Sequence, residues 1–272
     1  MVQELLGKPV RQLIRERIIK RIALGQRING YIIVNLSSAE AKAYADLISK
    51  TLASLNQRVF YTEVKDYNEA EFAVKNANMD PIGTVFLARP LGFKGEDKLI
   101  EEVNSEKDAD MLTSVNIGKL AKGNLHYLSG TSKAVNELLA YYQIDVTGKK
   151  ALVIGRSVSV GLPISLLLLK RNAEVSIVHS RVQAYDIHHA AQESDVIVLA
   201  SGKRGLFDKE DVKKNQIILD CGYHEDGHGD IDFVPEEASF YTPVPRGIGP
   251  ITIMGLIENA FYLLYGEEKE DE

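Results

Sequence analysis

Two glycines and a hydroxyl side chain follow an apolar run in a spacing that suits phosphate binding. The run, residues 151–154, ends at Gly155, and Ser157 and Gly161 follow before a second apolar run begins at residue 164. A third run at 175–178 completes a strand, a turn, a helix and a second strand. In such a unit glycine lets the backbone approach a nucleotide pyrophosphate, and the helix N-terminus offers free N–H groups to its oxygens.

The match to the dinucleotide fingerprint G-x-G-x-x-G is incomplete. Gly155 holds the first position, Ser157 the second, and Gly161 comes one residue late. The pattern alone therefore leaves two interpretations open: a cofactor-binding turn, or an ordinary unit of a parallel sheet.

The end of the second strand indicates which cofactor would fit. An NAD-binding unit usually has a carboxylate there for the ribose hydroxyls, whereas this chain has His179, Ser180 and Arg181. A hydroxyl and a guanidinium suit a ribose phosphate. The sequence therefore predicts NADP, with NAD as the alternative.

The first part of the chain alternates helices with strands. Apolar spacing predicts a helix over residues 9–24, and apolar runs predict strands at 30–34, 58–64 and 83–87. Ser37 or Ser38 can cap a helix that extends to about residue 55, and a short helix is expected at 69–77.

The second part repeats this alternation. Residues 104–122 look like a loop that leads into a short turn of helix. Further helices are expected at 131–142, 182–192 and 251–265, and further strands at 195–200 and 215–221. Residues 240–241 and a loop at 242–250 lead into the last of these helices. The order predicts an α/β fold whose sheets are mainly parallel.

We expect two domains. An N-terminal α/β substrate domain comprises residues 1–122 and 246–272, and a Rossmann-type NAD(P)-binding domain comprises residues 123–245. Ligands in such folds lie at the carboxyl ends of strands and between domains. The cleft would collect the segments 36–44, 88–91, 108–110, 155–157 and 242–250.

Composition excludes several classes of protein. The 272 residues carry a net charge of −6 and no basic stripe, so nucleic acid is not an expected partner. No apolar stretch has membrane-spanning length and no signal pattern is present, so we expect a cytoplasmic protein without membrane association. The single cysteine excludes an internal disulfide, and the acidic residues 267–272 are expected to be frayed.

Motifs along nearly the whole chain resemble those of the bifunctional methylenetetrahydrofolate dehydrogenase/cyclohydrolases. Gly202-Lys203 and Asp220-Cys221-Gly222 fit the family pattern. The most specific motifs are Lys107-Asp108-Ala109-Asp110 (KDVD in the family), Gly155-Arg156-Ser157 with Val160-Gly161 and Pro163 (GRSxxVGxP), His179-Ser180-Arg181 (HSR), and Thr242-Pro243-Val244-Pro245 with Gly247, Gly249-Pro250 and Thr252 (TPVPGGVGPMT).

The resemblance implies a tetrahydrofolate-type substrate, NADP or NAD, a homodimer and no metal. Tyr44 and Asp110 would be the catalytic residues, with Tyr44 packing against the folate and Asp110 binding its pterin ring. Pro245, Gly247 and Gly249 would join them in binding the substrate. The implied cofactor-binding residues are Gly155, Arg156, Ser157, Val160, Gly161, His179, Ser180, Arg181, Ser201, Gly202 and Thr242.

The folate side departs from the family pattern. In the family, a lysine four residues after the tyrosine works in proton transfer for the cyclohydrolase step, but Ile48 stands there in this chain. Lys50 lies roughly 240° round the helix from Tyr44 and so points elsewhere. We therefore expect weak or absent cyclohydrolase activity.

Other family positions differ as well. Ala41 replaces a serine, and alignment on Pro90-Leu91 places Ala88 at the glutamine of VQLPLP. Arg246 replaces the first glycine of PGG, and residues 129–132 keep only the threonine of PCTP. The cofactor motifs are intact, so the departures fall on the folate side.

Three hypotheses of function follow. The first is a folate dehydrogenase, in which hydride passes from the methylene carbon to the nicotinamide. The second is a family-related oxidoreductase acting on a different small substrate, and the third is a non-catalytic nucleotide-binding paralogue. The resemblance favours the first.

Several other chemistry-bearing residues have simpler interpretations. The segment from His224 to His228 contains a turn glycine and is expected to be a solvated loop. His188 and His189 are expected at the surface, and Cys221 as a small buried side chain.

Overall fold

The computed structural model describes residues 2–224 and 226–267, so most of the acidic tail, 268–272, lies outside the described residues. In chain order the elements are β1 (Gln3–Glu4), α1 (Gly7–Ala23), β2 (Asn29–Val34), α2 (Ala39–Ser54), β3 (Arg58–Glu63), α3 (Tyr67–Met79), β4 (Gly83–Ala88), α4 (Glu96–Glu102), α5 (Ser114–Ala121), α6 (Gly130–Tyr141), β5 (Lys150–Ile154), α7 (Gly161–Lys170), β6 (Glu174–Val178), α8 (Ala184–Glu193), β7 (Val196–Leu199), β8 (Ile217–Asp220), β9 (Phe240–Tyr241) and α9 (Gly249–Tyr265).

The chain forms two compact units. The three-stranded unit comprises Leu13–Lys119 and the residues from Ile253 onward. The six-stranded unit comprises the residues up to Gln12 and Leu120–Thr252. The predicted division into 1–122 with 246–272 and 123–245 stays a prediction. In the structure the first twelve residues cluster with the six-stranded unit.

The three-stranded unit contains a parallel sheet in the order β3-β2-β4. Every residue of β4 is buried, as its apolar sequence predicts. The Ser38 side chain accepts the amide of Ala41 at 3.1 Å and so caps α2, which confirms one of the two expected caps. Asp66 caps α3 in the same way, through the amide of Glu69.

Helices α1 and α9 contribute polar contacts to the three-stranded unit. Arg17 on α1 binds Glu258 on α9 with two hydrogen bonds of 2.6 and 3.1 Å. Asn259, one residue further along α9, is fully buried and donates to the carbonyl oxygen of Ala109 at 3.1 Å. The last helix therefore fixes the backbone beside Asp110.

The six-stranded unit contains a parallel sheet in the order β1-β9-β8-β7-β5-β6. Its centre is apolar, and Leu152, Ile197 and Ile218 belong to one buried cluster. Strand β1 is absent from the sequence prediction, because two polar residues give no apolar pattern. It forms because Gln3 and Glu4 lie in register with Phe240 and Tyr241.

These sheets confirm the predicted α/β class with parallel strands. None of the described helices is both long and apolar enough to span a bilayer.

Candidate active site

The glycine turn after β5 is shaped by close packing within the chain. Gly155 has φ +139°, and a Cβ there would lie 2.1 Å from the carbonyl oxygen of Ala200. A Cβ on Gly161 would lie 2.3 Å from the carbonyl oxygen of Gly155. Both glycines are therefore needed to bring α7 and the segment after β7 against the end of β5.

The first turn of α7 satisfies its own amide groups. Ser157 Oγ accepts the amides of Val160 at 3.2 Å and Gly161 at 3.4 Å, and the Ser157 carbonyl accepts Leu162 at 3.0 Å. Pro163, the next residue, has no N–H to donate. The expectation that this helix end offers free N–H groups is therefore wrong, because the serine in the second fingerprint position caps the helix.

Free amides lie in the loop before α7 instead. Among the residues that the structure describes, none accepts a hydrogen bond from the amides of residues 156–159. The Arg156 side chain is exposed, and no described group pairs with its guanidinium. Four amides and a guanidinium suit the phosphates of a dinucleotide, so the residues present fit the cofactor implied by the motif.

The segment after β6 presents the side chains predicted to bind a ribose phosphate. Ser180 and Arg181 are exposed, and the Arg181 side chain contacts no partner in the described part of the chain. His179 Nδ1 accepts the Arg181 amide at 3.2 Å. Arg156 within the glycine turn and Arg181 after β6 are thus two guanidinium groups that no described residue pairs.

Ser201 and Gly202, two predicted cofactor residues, use their donors within the chain. Asp230 Oδ2 accepts the Ser201 amide at 3.0 Å, its hydroxyl at 2.9 Å and the Gly202 amide at 3.1 Å. The other oxygen of Asp230 lies 3.1 Å from His224 Nε2. Asp230 therefore shapes the end of β7, a role that sequence reasoning missed.

Thr242 is also bonded inside the protein. Its Oγ1 accepts the Asp220 amide at 2.7 Å, and the side chain is buried. Burial raises the pKa of Asp220 to about 6, and burial also raises the pKa of the Cys221 thiol well above its usual value. Cys221 is thus a partly buried thiol with little thiolate character, in line with its interpretation as packing.

The loop from Thr242 to Pro250 is attached to the N-terminal strand. Arg246 Nη2 lies 3.0 Å from Glu4 Oε1, which also accepts the Tyr241 hydroxyl at 2.8 Å. The arginine at the family's glycine position thus has a structural partner. Of the predicted substrate residues in this loop, Pro245 and Gly249 are exposed and Gly247 is buried.

In the three-stranded unit, a short segment alongside β4 positions Asp110. The Val85 amide donates to the Lys107 carbonyl at 2.7 Å, and the Ala109 amide donates to the Val85 carbonyl at 3.3 Å. Asp108 lies opposite Val85 in a parallel bridge. Asp110 follows immediately.

Asp110 and Tyr44 are adjacent and strongly perturbed. Burial, together with the negative charge of Asp108, raises the pKa of Asp110 to about 7, although Arg89 and Tyr44 act in the opposite direction. Burial and the Asp110 carboxylate raise the pKa of Tyr44 well above its usual value. Asp110 Oδ2 is buried without a hydrogen-bond partner among the described residues. An orphaned acid oxygen indicates a place for a ligand donor.

Asp108 has a structural role. Its Oδ2 accepts the Thr113 amide at 2.8 Å and the Asn116 side chain at 3.0 Å. Burial raises the pKa of Asp108 in spite of these bonds. Of the two acids in this motif, Asp110 is the one with a buried oxygen that no described group bonds.

Three of the positions that depart from the family are apolar and closed to water. Ala41, Ile48 and Ala88 are all fully buried. Lys42 and Lys50, the cations of α2 near Tyr44 in sequence, are exposed. No ionisable side chain of α2 therefore occupies the buried positions beside Tyr44.

Sequence reasoning also missed the residues that hold the loop after β4. Glu96 accepts Arg89 Nε at 2.5 Å and the Leu91 amide at 2.8 Å. Asn35, directly after β2, donates to the Leu91 carbonyl at 2.8 Å. The sequence signal for these residues was their position, since Asn35 and Arg89 each follow the carboxyl end of a strand.

A group of one histidine and two aspartates does not belong to these sites. His188 is half-buried rather than a plain surface residue, because its Nδ1 lies 2.6 Å from Asp211 Oδ2. Asp208 completes a group whose ligand atoms lie within 4.8 Å of one another. Asp211 also accepts the Asp208 amide at 2.8 Å, so the group serves as a local cap. The absence of a metal stays a prediction.

The parallel six-stranded sheet and its glycine turn with unpaired loop amides define an α/β protein of the dinucleotide-binding class. The profile of the tetrahydrofolate dehydrogenase/cyclohydrolase NAD(P)-binding domain matches residues 129–267. The bifunctional protein FolD of Leptospira biflexa is 32% identical over 270 residues, which covers 96% of this chain and 92% of that protein. This chain belongs to the tetrahydrofolate dehydrogenase/cyclohydrolase family.

Solved structures agree with this assignment. The bifunctional enzyme FolD, methylenetetrahydrofolate dehydrogenase/cyclohydrolase, from Campylobacter jejuni has a TM-score of 0.90 at 28% identity, covering 97% of this chain and 99% of that one. The methylenetetrahydrofolate dehydrogenase-cyclohydrolase of Trypanosoma brucei, complexed with NADP and an inhibitor, has a TM-score of 0.88 at 27% identity, covering 97% of each chain. The resemblance and the NAD(P)-binding class are confirmed.

Proposed function

We propose that this protein is an NADP-dependent methylenetetrahydrofolate dehydrogenase whose cyclohydrolase activity is weak or absent. Family membership supports the oxidoreductase activity, since the relatives are dehydrogenase/cyclohydrolases by name. The observation that carries the second half is the fully buried Ile48, one helical turn from Tyr44.

The dehydrogenase step requires orientation more than acid or base. NADP, when bound, supplies a nicotinamide that accepts hydride from the methylene carbon of the substrate. Asp110 accepts N–H groups of the amino-pyrimidine edge through its unpartnered oxygen, and Tyr44 packs against the substrate. The cation left by hydride loss is stabilised within the pterin itself.

The cyclohydrolase step has a different requirement. Water adds to the methenyl carbon, and a group must take its proton. Ile48 has no titratable atom, and the guanidinium of Arg89, whose charge acts on Asp110, has no acceptor atom for a proton. Neither side chain can act as the base, which supports a cyclohydrolase step that runs near its spontaneous rate.

Two absorbance assays test the proposal. Cofactor reduction with methylenetetrahydrofolate should be rapid with NADP, whereas conversion of methenyl- to formyltetrahydrofolate should barely exceed the rate without protein. General acid–base assistance is worth about 10²–10⁴-fold, so its absence is easily measured. Brisk cyclohydrolase turnover would refute the second half and indicate Lys42 or Lys50 as the base.

We also propose that the protein is a homodimer located in the cytoplasm. The family resemblance supports the dimer, and sedimentation equilibrium of the purified protein tests it. A mass equal to one chain at micromolar concentration would contradict it.

A further inference from the structure

The residue before α6 is bonded to the loop that precedes α7. Ser129 is only 4% exposed, and its Oγ donates to the carbonyl oxygen of Ser159 at 2.7 Å. The two residues are 30 positions apart in the chain and lie in the same six-stranded unit. A carbonyl oxygen only accepts, so this contact uses the single proton of the Ser129 hydroxyl.

A second buried hydroxyl fixes the direction of that proton. Ser132 Oγ lies 2.9 Å from Ser129 Oγ and 2.9 Å from the Ser129 carbonyl oxygen. Because Ser129 gives its own proton to Ser159, Ser132 is the donor in the contact between the two hydroxyls. The family pattern PCTP has proline at both positions, and proline carries no hydroxyl. The pair of serines is therefore a feature of this chain that the family pattern lacks.

The carbonyl that Ser129 binds belongs to a peptide group held at both ends. The peptide bond between Ser159 and Val160 is trans, so its C=O and N–H point in opposite directions. Ser129 holds the C=O, and the N–H donates to Ser157 Oγ at 3.2 Å. The orientation of this peptide sets the path of the loop 156–159, whose four amides have no acceptor among the described residues.

We propose that Ser129 is a positioning residue for the cofactor, which holds the loop 156–159 in the arrangement that receives the phosphates of NADP. The inference rests on the proposed function, because these amides need a bound dinucleotide as their acceptor. Donors that are fixed before binding lose less conformational freedom when the ligand arrives, so their fixation appears as affinity. The role concerns binding of the cofactor and not hydride transfer.

NADP titrations and steady-state kinetics of Ser129→Ala test this role. The variant should bind NADP about three- to tenfold more weakly and raise KM for NADP by a similar factor, since the net contribution of one hydrogen bond is lost. Its kcat at saturating NADP and its KM for methylenetetrahydrofolate should match those of wild type. Ser129→Thr keeps a hydroxyl and should restore most of the NADP affinity.

Ser194→Ala is the matched control. Ser194 is 6% exposed in the same unit, and its Oγ donates to the carbonyl oxygen of Ala190 at 2.7 Å. The control therefore loses a buried hydroxyl-to-carbonyl bond of the same length, but from helix α8 instead of the loop. Thermal melts without cofactor should show comparable losses of stability for the two alanine variants, whereas NADP affinity should fall only in Ser129→Ala.

Each other outcome is decisive. Unchanged NADP affinity in Ser129→Ala overturns the proposal, as does an equal loss of affinity in Ser194→Ala, which would attribute the effect to general destabilisation. If Ser129→Ala does not fold, Ser129→Cys decides, because a thiol fills the site but donates weakly. Its NADP affinity should fall, and wild-type affinity there overturns the proposal. A wild type that binds no NADP refutes the proposed function itself, and the inference with it.

Discussion

At the scale of single residues, Asp110 links substrate binding to pH. Its pKa of about 7 means that the acid is half protonated near neutrality. Only the ionised form accepts two N–H groups from a pterin edge. Tetrahydrofolate affinity should therefore rise with pH through about 7 and level off above it. Titrations across this range check the profile, and Asp110→Asn should bind weakly and without this pH dependence.

The same acid affects the ligand-free protein in the opposite sense. The folded state holds the proton up to about pH 7, whereas the unfolded chain releases it near the ordinary aspartate pKa of 3.8. The folded state therefore binds more protons between these values, and the contribution of Asp110 to stability is lost as pH rises across them. Plots of melting temperature against pH for wild type and Asp110→Asn should differ in slope over this window. Parallel curves would show that the carboxyl is solvated.

Ile48 tests whether the lost lysine can be restored. Its side chain is fully buried, so Ile48→Lys places an ammonium among apolar groups. We expect a loss of about 3 kcal/mol or more in the free energy of unfolding, and little cyclohydrolase activity gained. Leu47→Lys, at a neighbouring position that is 50% exposed, is the control and should be almost neutral. Denaturant melts and the methenyl assay give both readings.

How far the residues of the site could be predicted depends on what holds them. Tyr44 and Asp110 were predicted from their positions in family motifs. The structure brings the two side chains together, and their catalytic roles stay a prediction. Arg89 and Glu96 could not be anticipated, because an ion pair across seven residues depends on the path of the loop between them. Asp230 is a similar case, since it reaches back 29 residues to Ser201.

At the scale of elements, apolar runs predicted most helices and strands within a few residues. Strand β1 and helix α4 were not predicted. Strand β1 has two residues and helix α4 has seven, and both are too polar to show a clear periodicity. The start of α7 was misjudged for a different reason. A serine in a glycine-rich turn can bind a ligand or cap its own helix, and only the observed hydrogen bonds distinguish the two.

The contact between the two turn glycines should be intolerant of any side chain. Gly161→Ala would place a Cβ 2.3 Å from a backbone oxygen, so we expect a loss of several kcal/mol in stability together with impaired NADP binding. Gly118→Ala is the matched control, because a Cβ there meets nothing within 4 Å. That variant, in helix α5, should be unchanged or slightly more stable. Thermal melts of both decide the matter, and equal stability would remove the steric argument.

At the scale of the whole molecule, cofactor preference should appear as a shift in melting temperature. A ligand that binds only the folded protein adds about 2.7 kcal/mol at a hundredfold excess over Kd. NADP should stabilise the wild type more than NAD does at equal concentration, because the exposed Arg181 has no partner of its own among the described residues. Arg181→Ala should abolish the difference. Lys150→Ala removes a charge from the other end of β5 and should preserve it. Greater stabilisation by NAD in wild type would contradict the NADP assignment.

The pairing of β1 with β9 has a consequence for synthesis of the chain. Glu4 leaves the ribosome before Tyr241, to which it bonds, and 237 residues separate the two. At about 5–20 residues per second, that interval is on the order of ten to fifty seconds. Until then β8 presents an open edge, which is the kind of surface that chaperones cover and that neighbouring nascent chains can join.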